Sequence, residues 1–284
     1  MNRWLALVCA LGCLGGAFTT YTAISVGSSG LLTLSTAMQQ LATVLTTYNN
    51  TLNTARTQIF VGLTDLMGWV NITYTALNKT YGANQTSLPS FLQSLSYFNQ
   101  TIQSGDQSAT MSITMDLNQL RSIFTQAFSN VLQYYNMLQS SMSMVQIALA
   151  DNCTARNATQ MINVPTSLAK FGQCIQINTA TVLAYVPTLV NIISVAKNDF
   201  VSLNNQLKLC ASASSNCQNY YFQQLYSEQS TGMSMLYLLI QVIMSGYSDA
   251  SSRDQFCASL VEYDLQDTLT NLQNAYQSCI WPPS

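Results

Sequence analysis

The chain has 284 residues, 48% of them hydrophobic and only 7% charged, with nine Lys and Arg, eleven Asp and Glu and no histidine. Ordinary domains carry about 25% charge, so surface polarity must come from Ser, Thr, Asn and Gln. The scattered cations exclude a phosphate-binding stripe, the apolar content excludes disorder, and the missing histidine removes Ser-His-Asp and Cys-His catalysis with the commonest general base.

In chain order, Met1-Asn2-Arg3 is a short positive start and Trp4 to Phe18 is an apolar, charge-free run that ends in small residues. This is a signal-peptide pattern, predicting cleavage after Ala17 behind Gly15-x-Ala17, with cleavage after Ala23 as the alternative. The run is shorter than the roughly 20 residues of a membrane anchor. Later apolar stretches read as buried or interrupted helix: Met233 to Met244 is short, and Val182 to Ala196 contains Pro187. No span after signal removal is expected, nor a lipid anchor on Trp281-Pro282-Pro283-Ser284.

Helical seams follow. The first runs Leu31, Leu34, Met38, Leu41, Leu45, Tyr48, Leu52, Ala55, Ile59, Leu63, Leu66, Val70, a heptad pattern with one stutter. Tyr81 to Pro89 reads as a loop, Phe91 to Gln103 as a short helix, and Ser104-Gly105-Asp106 as a turn. A second seam runs from Ile113 to Leu149. Asp151 to Pro165 reads as a link to a third seam, Val182 to Leu207, with a kink or late start expected at Pro187. Cys210 to Cys217 is a Ser-rich tip. Two last helices, Phe222 to Tyr247 and Cys257 to Cys279, are joined through Gly246 to Ser252, with Ser252 or Asp254 as N-cap. Strand signals are nearly absent. The expected fold is all-α, an elongated antiparallel, coiled-coil-like helical bundle.

Behind the signal (1–17), the sequence divides into a glycan-rich long-helix segment (24–150) and a disulfide-stapled helical domain (151–284). The sequons Asn49, Asn71, Asn78, Asn84, Asn99, Asn152 and Asn157 all lie in the first 160 residues. Six cysteines survive signal removal: Cys153, Cys174, Cys210, Cys217, Cys257 and Cys279. An even count in a secretory setting predicts three disulfides. Cys210 and Cys217 face each other across the tip and pair. Cys257 and Cys279 would lie about 33 Å apart on one straight helix, so they cannot bridge unless that helix breaks. In an up-down bundle Cys153 and Cys257 share one end while Cys279 returns toward the tip. Either Cys174 then lies higher than its position suggests, or the last helix bends.

Chemistry-bearing clusters are thin. Glu262, Asp264 and Asp267, with Asp249 and Asp254 upstream, form the densest acidic stretch, which reads as a solvated helix face rather than a catalytic pair or calcium loop. No cofactor motif and no metal-ligand spacing is present. Tyr48, Tyr134, Tyr185, Tyr237, Tyr247 and Tyr276 fall on or beside seams and read as core. Met137, Met142, Met144, Met233, Met235 and Met244 would suit an adaptable apolar cavity, although core filling is the plainer reading.

The six cysteines, with Cys257 inside Asp254-Gln255-Phe256-Cys257 and an Asn/Thr/Gln-rich helical body behind a signal, give residues 150–280 a resemblance to the TsetseEP-domain family of insect secreted proteins. The Glu-Pro repeat tail of that family is missing. The resemblance implies an extracellular, gut- or secretion-associated protein and supplies no site residues. The expected role is that of a secreted, non-enzymatic glycoprotein with a protein, matrix or self partner. The alternative is a carrier of a small apolar molecule near Met233, Leu236 and Tyr237.

Overall fold

The computed structural model describes residues 22–81, 87–142, 147–210 and 215–282. The signal segment 1–17 with Arg3, Cys9 and Cys13, the sequon Asn84, the loop core 82–86, residue Met144 and the tip 211–214 lie outside the described residues. So do the side chains of Met142 and Cys210. The described residues are helical almost throughout: α1 Thr22–Tyr81, α2 Ser87–Met142, α3 Ile147–Asn163, a 3-10 turn Val164–Leu168, α4 Ala169–Cys210 and α5 Ser215–Ile280. The all-α bundle with a disulfide-stapled C-terminal half is thus observed.

The helices form because apolar residues recur every three or four positions and demand cover. On α1 the buried series Val26, Gly30, Leu34, Ala37, Leu41, Leu45, Tyr48, Leu52, Ala55, Ile59, Leu63, Leu66, Val70, Thr73, Leu77 averages close to the 3.6-residue turn of a straight helix. Ala37 is buried and Met38 is exposed, so the first turns of the expected seam are rotated by one residue. Threonine is tolerated on the outer faces because its hydroxyl donates to the carbonyl four residues back, as Thr43 does to Gln39 and Thr54 to Asn50.

Three expected breaks are not breaks. Ser104-Gly105-Asp106 lies inside α2. Gly105 serves close packing instead of a turn: a Cβ there would stand 3.0 Å from Ile240 and 3.4 Å from Phe60. The predicted link Asp151 to Pro165 is mostly α3, with Pro165 buried in the 3-10 turn. Gly246 to Ser252 is mid-helix, and Phe222 to Cys279 belongs to one continuous helix, α5. Pro187 also lies inside a helix, α4.

The chain divides into two compact units, each drawing on both the 24–150 and the 151–284 stretches. One comprises Met1–Met38, Gln126–Leu168 and Tyr263–Ser284; the other comprises Gln39–Thr125 and Ala169–Glu262. In the first, Tyr135 lies over the Cα of Gly30 and its hydroxyl donates to the Met161 carbonyl. Cys153 is bonded there to Cys279, Cα atoms 5.7 Å apart.

In the second unit the cross-helix pairs fix the directions. Tyr48 meets Asp116 and Arg56 meets Asp106, so α1 and α2 are antiparallel. Asn178 meets Asp254 and Cys174 meets Cys257, so α4 and α5 are antiparallel. Asp65 meets Lys197, which follows Gly62 against Ile193, so α1 and α4 run parallel. This is an up-down-up-down four-helix arrangement.

Cys174 bonds Cys257 and Cys153 bonds Cys279. The expectation that Cys153 and Cys257 share one end, with Cys279 back at the tip, rested on breaking the last helix at Gly246. With α5 unbroken, Cys257 and Cys279 lie about six turns apart along one helix and each finds its own partner. Cys217 is also disulfide-bonded.

Candidate functional site

The second unit carries one chemically distinct cluster in its interior, built from one side chain of α1, one of α2, one of α4 and two of α5. Tyr48, Asp116, Asn178 and Asp254 are buried, Asp116 at 2% and Asp254 at 0% exposure, and Ser251 is half-buried. Each occupies a seam position: Asp116 stands beside Leu117 between Ile113 and Leu120, and Asp254 falls between Ala250 and Ala258. Burying two carboxylates without a cation is costly unless every oxygen is satisfied.

The satisfaction is specific. Ser251 donates to Asp116 Oδ1 at 2.8 Å, and the Tyr48 hydroxyl bonds Asp116 Oδ2. Asn178 Nδ2 donates to Asp254 Oδ1 at 2.7 Å. The Tyr48 oxygen also lies 2.8 Å from Asp254 Oδ2. A phenol has one proton and cannot donate to both carboxylates. The arrangement closes when the second bond carries a proton of its own, the carboxyl of one aspartic acid donating to the tyrosine oxygen. Burial, first, and the nearby Asp116 push Asp254 up to about 6, against the opposing hydrogen bonds from Asn178 and Tyr48. Burial and the two carboxylates likewise push the Tyr48 hydroxyl far above its ordinary range. Arg253, the cation whose charge acts on Asp254, turns to Asp249 at 2.7 Å on the exposed side of α5.

The cluster is clamped. Cys174 precedes Asn178 by one turn on α4, Cys257 follows Asp254 by one turn on α5, and their disulfide joins the two helices there. Gln255, one residue beyond Asp254, bonds Gln119 across to α2.

The expected site residues are placed as follows. Asp254 is neither an N-cap nor part of a solvated acidic face; it is in the core because α5 continues through it. Asp249, Asp264 and Asp267 are exposed and Glu262 is half-buried, so the acidic stretch does not converge on Asp254. Tyr48, Tyr134, Tyr247 and Tyr276 are buried as core, whereas Tyr185 and Tyr237 are exposed, at 53% and 51%. Met137, Met233 and Met244 are half-buried and Met235 is exposed. Met233 and Leu236 line a small apolar pocket with Val70, Phe91, Phe98 and Phe200, enclosing about 20 Å³. Among the sequons, Asn71, Asn78, Asn99 and Asn152 are exposed, and Asn49 and Asn157 are half-buried. Among the described residues no group of three or more metal-binding side chains converges.

Asp116 was not singled out in the sequence. Its signal was present: an acid one residue from Leu117 on an otherwise apolar seam, matched by Asp254 on the seam of α5.

The outer surface has its own pattern. Met235, Leu238, Val242, Phe256 and Leu260 of α5 are all exposed, between 39% and 67%. At 100° per residue they fall within an arc of about 60°, interrupted by the self-neutralised Asp249–Arg253 pair. On α4, Ile177, Leu183, Tyr185, Val190 and Val195 are exposed too, but they flank both sides of the buried seam. The stretch Ala148–Leu209 is long and apolar enough by composition to cross a membrane, with 28% of its most apolar window buried.

No protein-family model, no curated protein and no solved structure matches this chain.

Proposed function

We propose that the chain is a secreted, N-glycosylated extracellular protein with a structural or interaction role and no enzymatic activity, and that its partner is a second copy of itself. The observation that carries the reading is the apolar stripe on α5. Exposed apolar residues aligned on one helix face, here two patches on either side of the Asp249–Arg253 pair, mark an interaction surface more often than a chance scatter. The stripe lies on a helix without any of the seven sequons, so no glycan is attached to α5 itself. With only 7% of residues charged, little like-charge repulsion opposes packing copy on copy. The disulfides fit an oxidising compartment, the signal-like start gives the route to it, and four exposed sequons offer sites for solubilising sugars. The TsetseEP-like cysteine arrangement points to the same compartment.

Sedimentation velocity on protein secreted from eukaryotic cells tests this. The wild type is expected to self-associate reversibly, and the double variant Leu238→Glu, Leu260→Glu to sediment as a monomer with unchanged thermal stability. A wild type that stays monomeric at high micromolar concentration overturns the reading.

The second reading is a carrier of a small apolar ligand, favoured by the apolar lining around Met233 and Leu236. Ligand pockets usually hold about 300–1,000 Å³, and the space here is about 20 Å³, so uptake would require the helices to part. Native mass spectrometry of gently purified protein without any co-purified lipid, and no uptake of a fluorescent fatty acid, would remove it.

A further inference from the structure

The buried cluster of the second unit has a consequence independent of secretion or self-association. Its five polar side chains are short of one proton at the centre: Ser251 and Asn178 each donate to one carboxylate, and the single Tyr48 proton lies between the two. We propose that this cluster is a proton-operated clamp: with one additional proton held between Asp254, Tyr48 and Asp116 the four helices lock at this level, and its loss as the medium turns neutral or alkaline sets two buried carboxylates against each other and loosens the unit.

Each packed element contributes a named group. From α1 comes Tyr48, from α2 Asp116, from α4 the neutral Asn178, and from α5 Asp254 with Arg253, which is paired outward to Asp249. Among the described residues no Lys or Arg is buried to take up the proton's role. Because the Cys174–Cys257 bond ties α4 to α5 one turn from the cluster, the movement is directed to α1 and α2.

The sign follows from linkage. Asp254 in the folded chain holds its proton to about 6, above its ordinary 3.8, so the stabilisation is complete below the ordinary value and is lost as pH rises through about 6. The chain has no histidine, and ordinary carboxylates are already ionised above pH 5. Among the described side chains, the raised Asp254 carboxyl is therefore the group that titrates between pH 5 and 8.

The test is chemical unfolding of the intact, oxidised protein at pH 5 and pH 8, in wild type, Asp254→Asn and Asp267→Asn. The wild-type folding constant is expected to fall about tenfold between the two pH values. Asp254→Asn presents an amide N–H to Tyr48 at every pH, so it folds with a flat profile and is at least as stable as wild type at pH 8. Asp267→Asn, an exposed acid on the same helix, keeps the wild-type profile. Infrared difference spectra should show a protonated carboxyl stretch at pH 5, lost by pH 8 and missing from Asp254→Asn. A wild-type profile flat from pH 5 to 8, or an Asp254→Asn profile as steep as wild type, overturns the proposal. Should Asp254→Asn not fold, the wild-type profile and its carboxyl band decide alone.

Discussion

Two levels of the same four-helix unit solve the problem of a filled interior in opposite ways. Around Phe60, Gly105 and Ile240 the interior side chains meet in apolar contact, with the Arg56–Asp106 pair at the edge, and the glycine lets the helices approach so closely that a Cβ would be 3.0 Å from Ile240. Around Tyr48, Asp116, Asn178 and Asp254 they meet through a hydrogen-bonded lattice with two acids in it. The dry level depends on shape and is indifferent to pH. The polar level depends on proton count and specifies register, because a one-step slip of any helix would leave a carboxylate unpaired. Stability and uniqueness of the arrangement are thus carried by different residues.

The largest expected effect comes from removing the clamp at the polar level. Replacing Cys174 and Cys257 together by Ala reopens a loop of 83 residues and should cost about 4–5 kcal/mol by loop-closure entropy, measured by denaturant unfolding. Phe60→Ala at the dry level should cost about 3–4 kcal/mol, equally at pH 5 and pH 8; a pH-dependent loss would break the contrast. Gly105→Ala should cost about 1–2 kcal/mol through overpacking against Ile240, again without pH dependence. At the smallest scale, Gly246→Ala lies at neither level and meets nothing within 4 Å, so it should raise stability by about 1 kcal/mol through helix propensity. A loss there would show that α5 is not a straight helix at this point.

Much of the architecture was legible in the sequence because seams are a bulk signal: Leu45, Leu52, Ile59 and Leu66 repeat the same message, and one ambiguous residue does not erase it. The helix joins were harder. Gly105 and Gly246 look alike beside polar neighbours, and both were read as turns, yet one is small to admit Ile240 and the other has open space beside it. Which residue approaches a glycine from a helix 135 positions away is not written locally. The same error displaced the cysteines, since breaking α5 at Gly246 reversed the end to which Cys279 belongs. It also turned Asp254 from a core residue into a cap. Tyr48 was recognised as core without its two acidic partners, which come from α2 and α5 and converge only when the bundle closes. Tyr185 and Tyr237 were misplaced because flanking positions of a seam satisfy the same spacing as its centre.

The most direct measurement of the contrast between the two levels is amide hydrogen exchange at pH 5 and pH 8, corrected for the intrinsic rate. Protection around Tyr48 on α1 and Asp116 on α2 should fall at pH 8, while protection around Phe60 and Gly105 stays constant. Equal loss at both levels, or no loss at either, would contradict a proton-dependent layer set within a proton-indifferent bundle.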